Sequence, residues 1–260
     1  MSLAAFAVAG GEARAAPAHT SPLPKDPLNS PMWTYHAQRL LSGAPVVFDP
    51  AVRLILPGVA ENQHQFPVTV DARTLPGVTR ILIYADLNPL TLAADFRPTR
   101  AAPFLSLRIK LDQRTPVRAA VLAADGKWHV NGAWVDAAGG GCSAPPLSRV
   151  KGDWAQHLGE VRGQAWREGG GPLRLRFTVR HPMDTGLVEG IPAYNVETIT
   201  LRGADGAELA RMEVQGSVSE DPAFTMLVNP VKDGPVSVSI RDTSGREFGG
   251  KIAPQNRPTP

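Results

Sequence analysis

Leu173, Leu175, Phe177 and Val179 alternate with Arg174, Arg176, Thr178 and Arg180. A period of two puts the apolar set on one face of an extended strand and the charges on the other. The pattern recurs. Leu105, Leu107, Ile109 and Leu111 alternate with Ser106, Arg108 and Lys110; Ala210, Met212 and Val214 alternate with Arg211, Glu213 and Gln215; Val236, Val238 and Ile240 alternate with Ser237, Ser239 and Arg241. Such segments need a second layer to cover their apolar faces, which restricts the chain to stacked sheets.

Shorter β-branched or aromatic runs fill in the first half. They are Val46–Phe48, Val52–Leu56, Phe66–Val70, Arg80–Tyr84, Pro116–Ala123, Lys127–Val130 and Trp134–Ala137, with Asp125-Gly126 as a hairpin turn. Ala204-Asp205-Gly206 and Asp242-Thr243-Ser244-Gly245 are turns of the second half. The expected fold is all-β: two immunoglobulin-like β-sandwich domains in tandem, with a short N-terminal helix. That helix is expected after Ser30 as N-cap and Pro31 at the first helical position, with Trp33, Ala37, Leu40 and Leu41 on one face and Gly43 closing it.

Between the halves lies Ala137-Ala138-Gly139-Gly140-Gly141-Cys142-Ser143-Ala144-Pro145-Pro146, which holds the one cysteine of 260 residues. A lone thiol forms no intrachain disulfide. Three glycines favour a mobile, exposed loop, so Gly139, Gly140 and Gly141 read as a swinging arm that presents Cys142. Three roles stay open at this point: a hinge with an idle thiol, a catalytic nucleophile that needs a positioned base, and a covalent carrying handle. Arg149 and Lys151 are candidates to favour the thiolate.

The N-terminus carries an apolar run, Leu3 to Ala9, followed by Ala13-Arg14-Ala15, which fits the small-x-small pattern before a signal-peptidase cut. With no Lys or Arg ahead of it, the segment reads as the remnant of a signal peptide, and a periplasmic location is expected. The run is too short to span a bilayer, and no other segment suggests a membrane span. The net charge is +3 with Lys and Arg scattered, so nucleic acid is not an expected partner. His19, His36, His64, His129, His157 and His181 show no ligand spacing; neither a metal nor a cofactor is expected.

Several motifs carry a family resemblance. His181-Pro182-Met183-Asp184-Thr185-Gly186, Ile191-Pro192-Ala193-Tyr194, Val218-Ser219-Glu220-Asp221-Pro222 and Asp242-Thr243-Ser244-Gly245 resemble, in order, segments of the sulfur-oxidation protein SoxZ. Ala85-Asp86-Leu87-Asn88-Pro89, Thr115-Pro116-Val117-Arg118-Ala119 and the glycine-flanked cysteine resemble SoxY. Together they look like the fused SoxYZ-like carriers associated with quinoprotein dehydrogenases. The implied division is a leader remnant and linker at 1–29, a SoxY-like sandwich at 30–138, the glycine-cysteine arm and linker at 139–158, a SoxZ-like sandwich at 159–255 and a tail at 256–260.

The resemblance implies a carrier rather than an enzyme, with a covalent sulfur adduct on Cys142. Its implied partners are sulfur-oxidation enzymes or cytochromes, with a quinoprotein dehydrogenase system as a candidate, and its two halves are expected to pair within the chain. His181, Pro182, Met183, Asp184 and Gly186 are read as a turn or interface. One departure stands out: in the two-chain system the carrier cysteine lies in a free C-terminal tail, whereas here a whole domain follows it.

Overall fold

The computed structural model describes residues 22–147, 149, 153–167, 171–230 and 232–255. The expected leader remnant before residue 22 and the tail after 255 lie outside them. Among the described residues no helix is long and apolar enough to cross a membrane.

The first half contains α1 (Trp33–Leu40) and the strands β1 (Val46–Phe48), β2 (Arg53–Ile55), β3 (Phe66–Asp71), β4 (Arg80–Ala85), β5 (Leu92–Arg97), β6 (Ala101–Ile109), β7 (Thr115–Leu122) and β8 (Trp128–Val135). The second contains β9 (Val161–Arg167), β10 (Leu173–Val179), β11 (Val196–Arg202), β12 (Glu208–Val214), β13 (Ala223–Val228), β14 (Val236–Asp242), β15 (Glu247–Ile252) and β16 (Pro254–Gln255). The all-β expectation with one short N-terminal helix holds.

The strands form two sheets that each run through both halves. One is nine-stranded, in the order β1-β8-β7-β4-β5-β12-β11-β14-β15; the other is seven-stranded, in the order β16-β9-β10-β13-β6-β3-β2. The tandem sandwiches are therefore joined edge to edge, through antiparallel β5–β12 and β6–β13. Across these seams Phe96 faces Met212 and Leu105 faces Met226, all four buried. Each contributes roughly 1.5–3 kcal/mol of apolar transfer. Joining the sheets also removes four strand edges that would otherwise invite pairing with other chains.

One apolar core runs between the sheets and draws residues from both halves. A smaller cluster lies on the outer face of the nine-stranded sheet, where Trp33, Ala37 and Leu41 of the helical segment cover Leu82, Tyr84, Ala120 and Trp128. The helix starts two residues later than Ser30 implies: Met32 is the N-cap, while the Ser30 hydroxyl accepts from the Met32 amide at 3.4 Å. Asp26 holds the chain ahead of it, accepting from the Leu28 and Ser30 amides.

Candidate functional site

The SoxY-like motifs meet around one buried cation. Arg118 on β7 has no exposed side-chain surface; it donates to Asp86 at 3.0 Å and to Asp26 at 2.7 and 2.9 Å. Its guanidinium lies 4.8 Å from the Trp33 ring. Two carboxylates offset the desolvation of this charge, and the network fixes the turn after β4. The Leu87 amide donates to the Thr115 hydroxyl in the same turn. The next residue, Asn88, donates to the Lys110 carbonyl at 2.7 Å and accepts from the Asp112 amide at 3.0 Å. Asn88 thus shapes the backbone at 110–112.

The cysteine loop rests on that backbone. The Gly141 amide donates to the Leu111 carbonyl at 3.1 Å; one oxygen of Asp112 accepts from the Cys142 amide, the Ser143 amide and the Ser143 hydroxyl at 2.9–3.1 Å. Gly139 and Gly140 have φ of +109 and +83°, a backbone that glycine adopts without strain. Gly141 serves close approach instead: a Cβ there would lie 2.3 Å from the Leu111 carbonyl and 2.4 Å from the Gln63 carbonyl.

Cys142 is 1% exposed. This corrects the expectation of an exposed arm: in this state the glycines form a tight turn against 110–112, and the sulfur is buried. Burial pushes the thiol up to about 12; the Lys110 charge opposes that shift and the Asp112 carboxylate adds to it. The cation acting on the sulfur is Lys110 and not Arg149, which pairs with Asp184 and stacks on Trp154 at 4.2 Å. Lys151 lies outside the described residues.

The SoxZ-like motifs close over the loop from the other half. Thr185 donates its hydroxyl to the Cys142 carbonyl at 2.7 Å, and the Met183 carbonyl accepts from the Lys110 ammonium. Met183 has φ +53°, unusual for a residue with a side chain; its amide donates to His181 Nδ1 at 3.1 Å, and its sulfur accepts from the Val196 amide. Asp184 and Tyr194 exchange backbone hydrogen bonds at 2.7 and 3.1 Å. Pro182 is buried, and Gly186 has φ +77°, as its place in a sharp turn requires.

His181 is buried 4.6 Å from the Tyr194 ring, and the Tyr194 hydroxyl donates to Asp242 at 2.7 Å. Burial lowers His181 to about 4, so it is neutral at pH 7. The four second-half motifs are therefore one cluster, with the Asp221 carboxylate accepting from the His181 amide. His181 holds the turn, and Thr185 reaches the cysteine loop. Sequence reasoning missed Asn88 as an anchor, Lys110, Asp112 and Thr185, although Asn88 and Thr185 both lie inside motifs that carry the resemblance.

Fold and site together define a protein of two fused β-sandwiches with a single thiol docked where they meet. Residues 37–142 match the family model of the sulfur oxidation protein SoxY, and residues 161–253 match that of the sulphur oxidation protein SoxZ. The chain belongs to these families as a fused SoxY-like/SoxZ-like protein. The SoxY match ends on Cys142.

Among solved structures, the sulfur carrier protein SoxY from Chlorobium limicola f thiosulfatophilum is 26% identical, with a TM-score of 0.37, covering 41% of this chain and 96% of that one. A β-glycosidase from Bacteroides vulgatus is 12% identical, with a TM-score of 0.24, covering 85% of this chain and 26% of that one. No curated protein matches the chain significantly.

Proposed function

We propose that this protein is a covalent carrier of sulfur compounds that holds its cargo on Cys142 while enzymes of sulfur oxidation act on it. The observation that carries this reading is the place of the thiol: the SoxY match ends on it, and the SoxZ-like half closes over it through Thr185. Loading by exchange is balanced without a net oxidant. The Cys142 thiolate attacks one sulfur of a disulfide or persulfide-type donor, the new S–S bond forms, and the donor's other sulfur leaves as a thiolate; a second thiolate reverses the step.

Such exchange needs access to the sulfur, so the docked loop is the resting state and transfer requires it to open. The contacts that hold it are a few polar bonds, each contributing about 1 kcal/mol, which makes opening a modest free-energy step. Ala137 to Cys142 spans about 17 Å when extended, and chain continues on both sides. Partners therefore come to the seam between the halves, a geometry different from a free tail entering a deep channel. In this reading the protein works in the periplasm with sulfur-oxidation enzymes or cytochromes, and a quinoprotein dehydrogenase system is the candidate wider context.

The test is the intact mass of the protein taken from its native cells, before and after reductant. A sulfur-containing mass increment that maps to Cys142, is removed by reductant and is absent from Cys142→Ser is expected. A thiol without any reductant-sensitive increment under sulfur-oxidising growth would overturn the reading.

A further inference from the structure

Lys110 follows β6 at a position that alternation assigns to the wet face, yet it is only 3% exposed. Its ammonium crosses the seam and donates to the Met183 carbonyl and, at 2.9 Å, to the Gly216 carbonyl. Its backbone is fixed as well, donating to the Ser217 carbonyl and accepting from Asn88. The next two residues, Leu111 and Asp112, carry the docking contacts of the cysteine loop. Met183 lies two residues from Thr185, which binds that loop from the other side. Lys110 thus ties the floor of the site to the turn that closes it.

Two carbonyls do not by themselves call for a cation, since a neutral amide donates equally well. Burying an ammonium costs several kcal/mol unless anions compensate. The groups that favour the charged form of Lys110 are Cys142 when it is a thiolate, Asp184 and Glu220; Asp112 acts on Cys142, and Arg149 and His181 lie with Asp184. Asp184 is already engaged by Arg149. Of these groups, Cys142 is the one whose charge changes in sulfur exchange, from neutral thiol to thiolate.

We propose that Lys110 is the positioning cation of the site: its ammonium favours the anionic forms of Cys142, the thiolate first, and so sets the reactivity of the thiol. This rests on the reading of Cys142 as the reactive sulfur. Burial draws the Lys110 ammonium down to about 8, so it carries its charge at pH 7 and loses it in mildly alkaline solution.

The test compares alkylation of Cys142 by iodoacetate, an anion, with alkylation by neutral iodoacetamide. Both reagents are small, need only enough opening to reach a sulfur that stays over Lys110, and react with the thiolate, so the ratio of their rates cancels these factors and reports the local charge. Lys110→Gln keeps a donor without the charge and should lower the iodoacetate/iodoacetamide ratio about threefold or more, while Lys110→Arg should keep it near the wild-type value. In the unmodified protein the ratio should fall as pH is raised from 7 to 9.5, because Lys110 loses its charge there. An unchanged ratio in Lys110→Gln overturns the proposal. If that variant does not fold, the wild-type pH series decides, and a flat ratio across it is equally decisive. No sulfur cargo is used, so a protein that never loads sulfur but shows the ratio change would defeat the carrier reading and leave the role of Lys110 intact.

Discussion

The Thr185 hydroxyl donates to the Cys142 carbonyl across 2.7 Å, from one half of the chain to the other. The same oxygen accepts from the Leu187 amide, so the loop after β10 is oriented by the bond that holds the cysteine. This contact between the halves thus also protects the thiol. Thr185→Val preserves shape and removes the hydroxyl. Losing one such bond costs about 1 kcal/mol, so the loop should open about fivefold more often. The iodoacetamide rate of Cys142 should rise by that factor with little change in the melting temperature. An unchanged rate would show that Thr185 does not hold the loop.

The glycines separate two uses of the same residue. At Gly141 an added Cβ would meet two carbonyl oxygens at 2.3 and 2.4 Å, whereas at Gly140 nothing lies within 4 Å and only the φ of +83° resists a side chain. Gly141→Ala should therefore undock the loop and expose Cys142, raising the alkylation rate about fivefold to a hundredfold for a clash of roughly 1–3 kcal/mol. Gly140→Ala should have the smaller effect, near the roughly 1 kcal/mol of left-handed strain. Equal effects at the two positions would favour mobility over close packing.

The shared sheets predict how a cut chain behaves. Cleavage between 143 and 158 severs the connection but leaves β5–β12 and β6–β13 intact, with Phe96, Met212, Leu105 and Met226 still buried across them. The nicked protein should elute as one species from a sizing column at micromolar concentration. Elution as two separate fragments would show that the seams depend on the tether.

How far the sequence reveals this molecule depends on whether a feature is local. Strands with one wet face, such as β10 and β14, are legible because alternation is recorded in the strand itself. Leu92–Arg97 is not: β5 lies mid-sheet in the joined nine-stranded layer, both its faces are covered, and its Asp95 is buried against Arg80. A charged, alanine-rich segment of this kind looks like a loop until Arg80 is placed beside it. Lys110 misleads in the opposite direction, wet by pattern and dry by the approach of the second half. Cys142 was legible as the singular residue of the chain, but the docking of its loop depends on Leu111, Asp112 and Gln63, which no local pattern of glycines discloses.

Acid should test the cluster beneath the closing turn. His181 is buried, and its folded value of about 4 lies below the ordinary 6.5, so the folded protein prefers it neutral. The unfolded chain binds the proton more readily, and stability is lost as pH falls from about 6.5 towards 4. Between the ordinary 6.5 and about 4, at about 1.4 kcal/mol per pH unit, the loss approaches roughly 3.5 kcal/mol at its limit. The carboxylate of Asp242 is held low despite its burial by bonds from Ser244 and Tyr194, so it titrates below this window and does not mask it. His181→Asn should be less stable than wild type at pH 7, having lost the ring contact with Tyr194 while keeping, in its Oδ1, an acceptor for the Met183 amide. It should nonetheless lose less stability than wild type between pH 7 and 4.5. Denaturant melts of both proteins at the two pH values measure this difference. Parallel losses in the two would mean that His181 takes up its proton equally well in the folded and the unfolded chain, and that acid acts on the turn through its carboxylates alone.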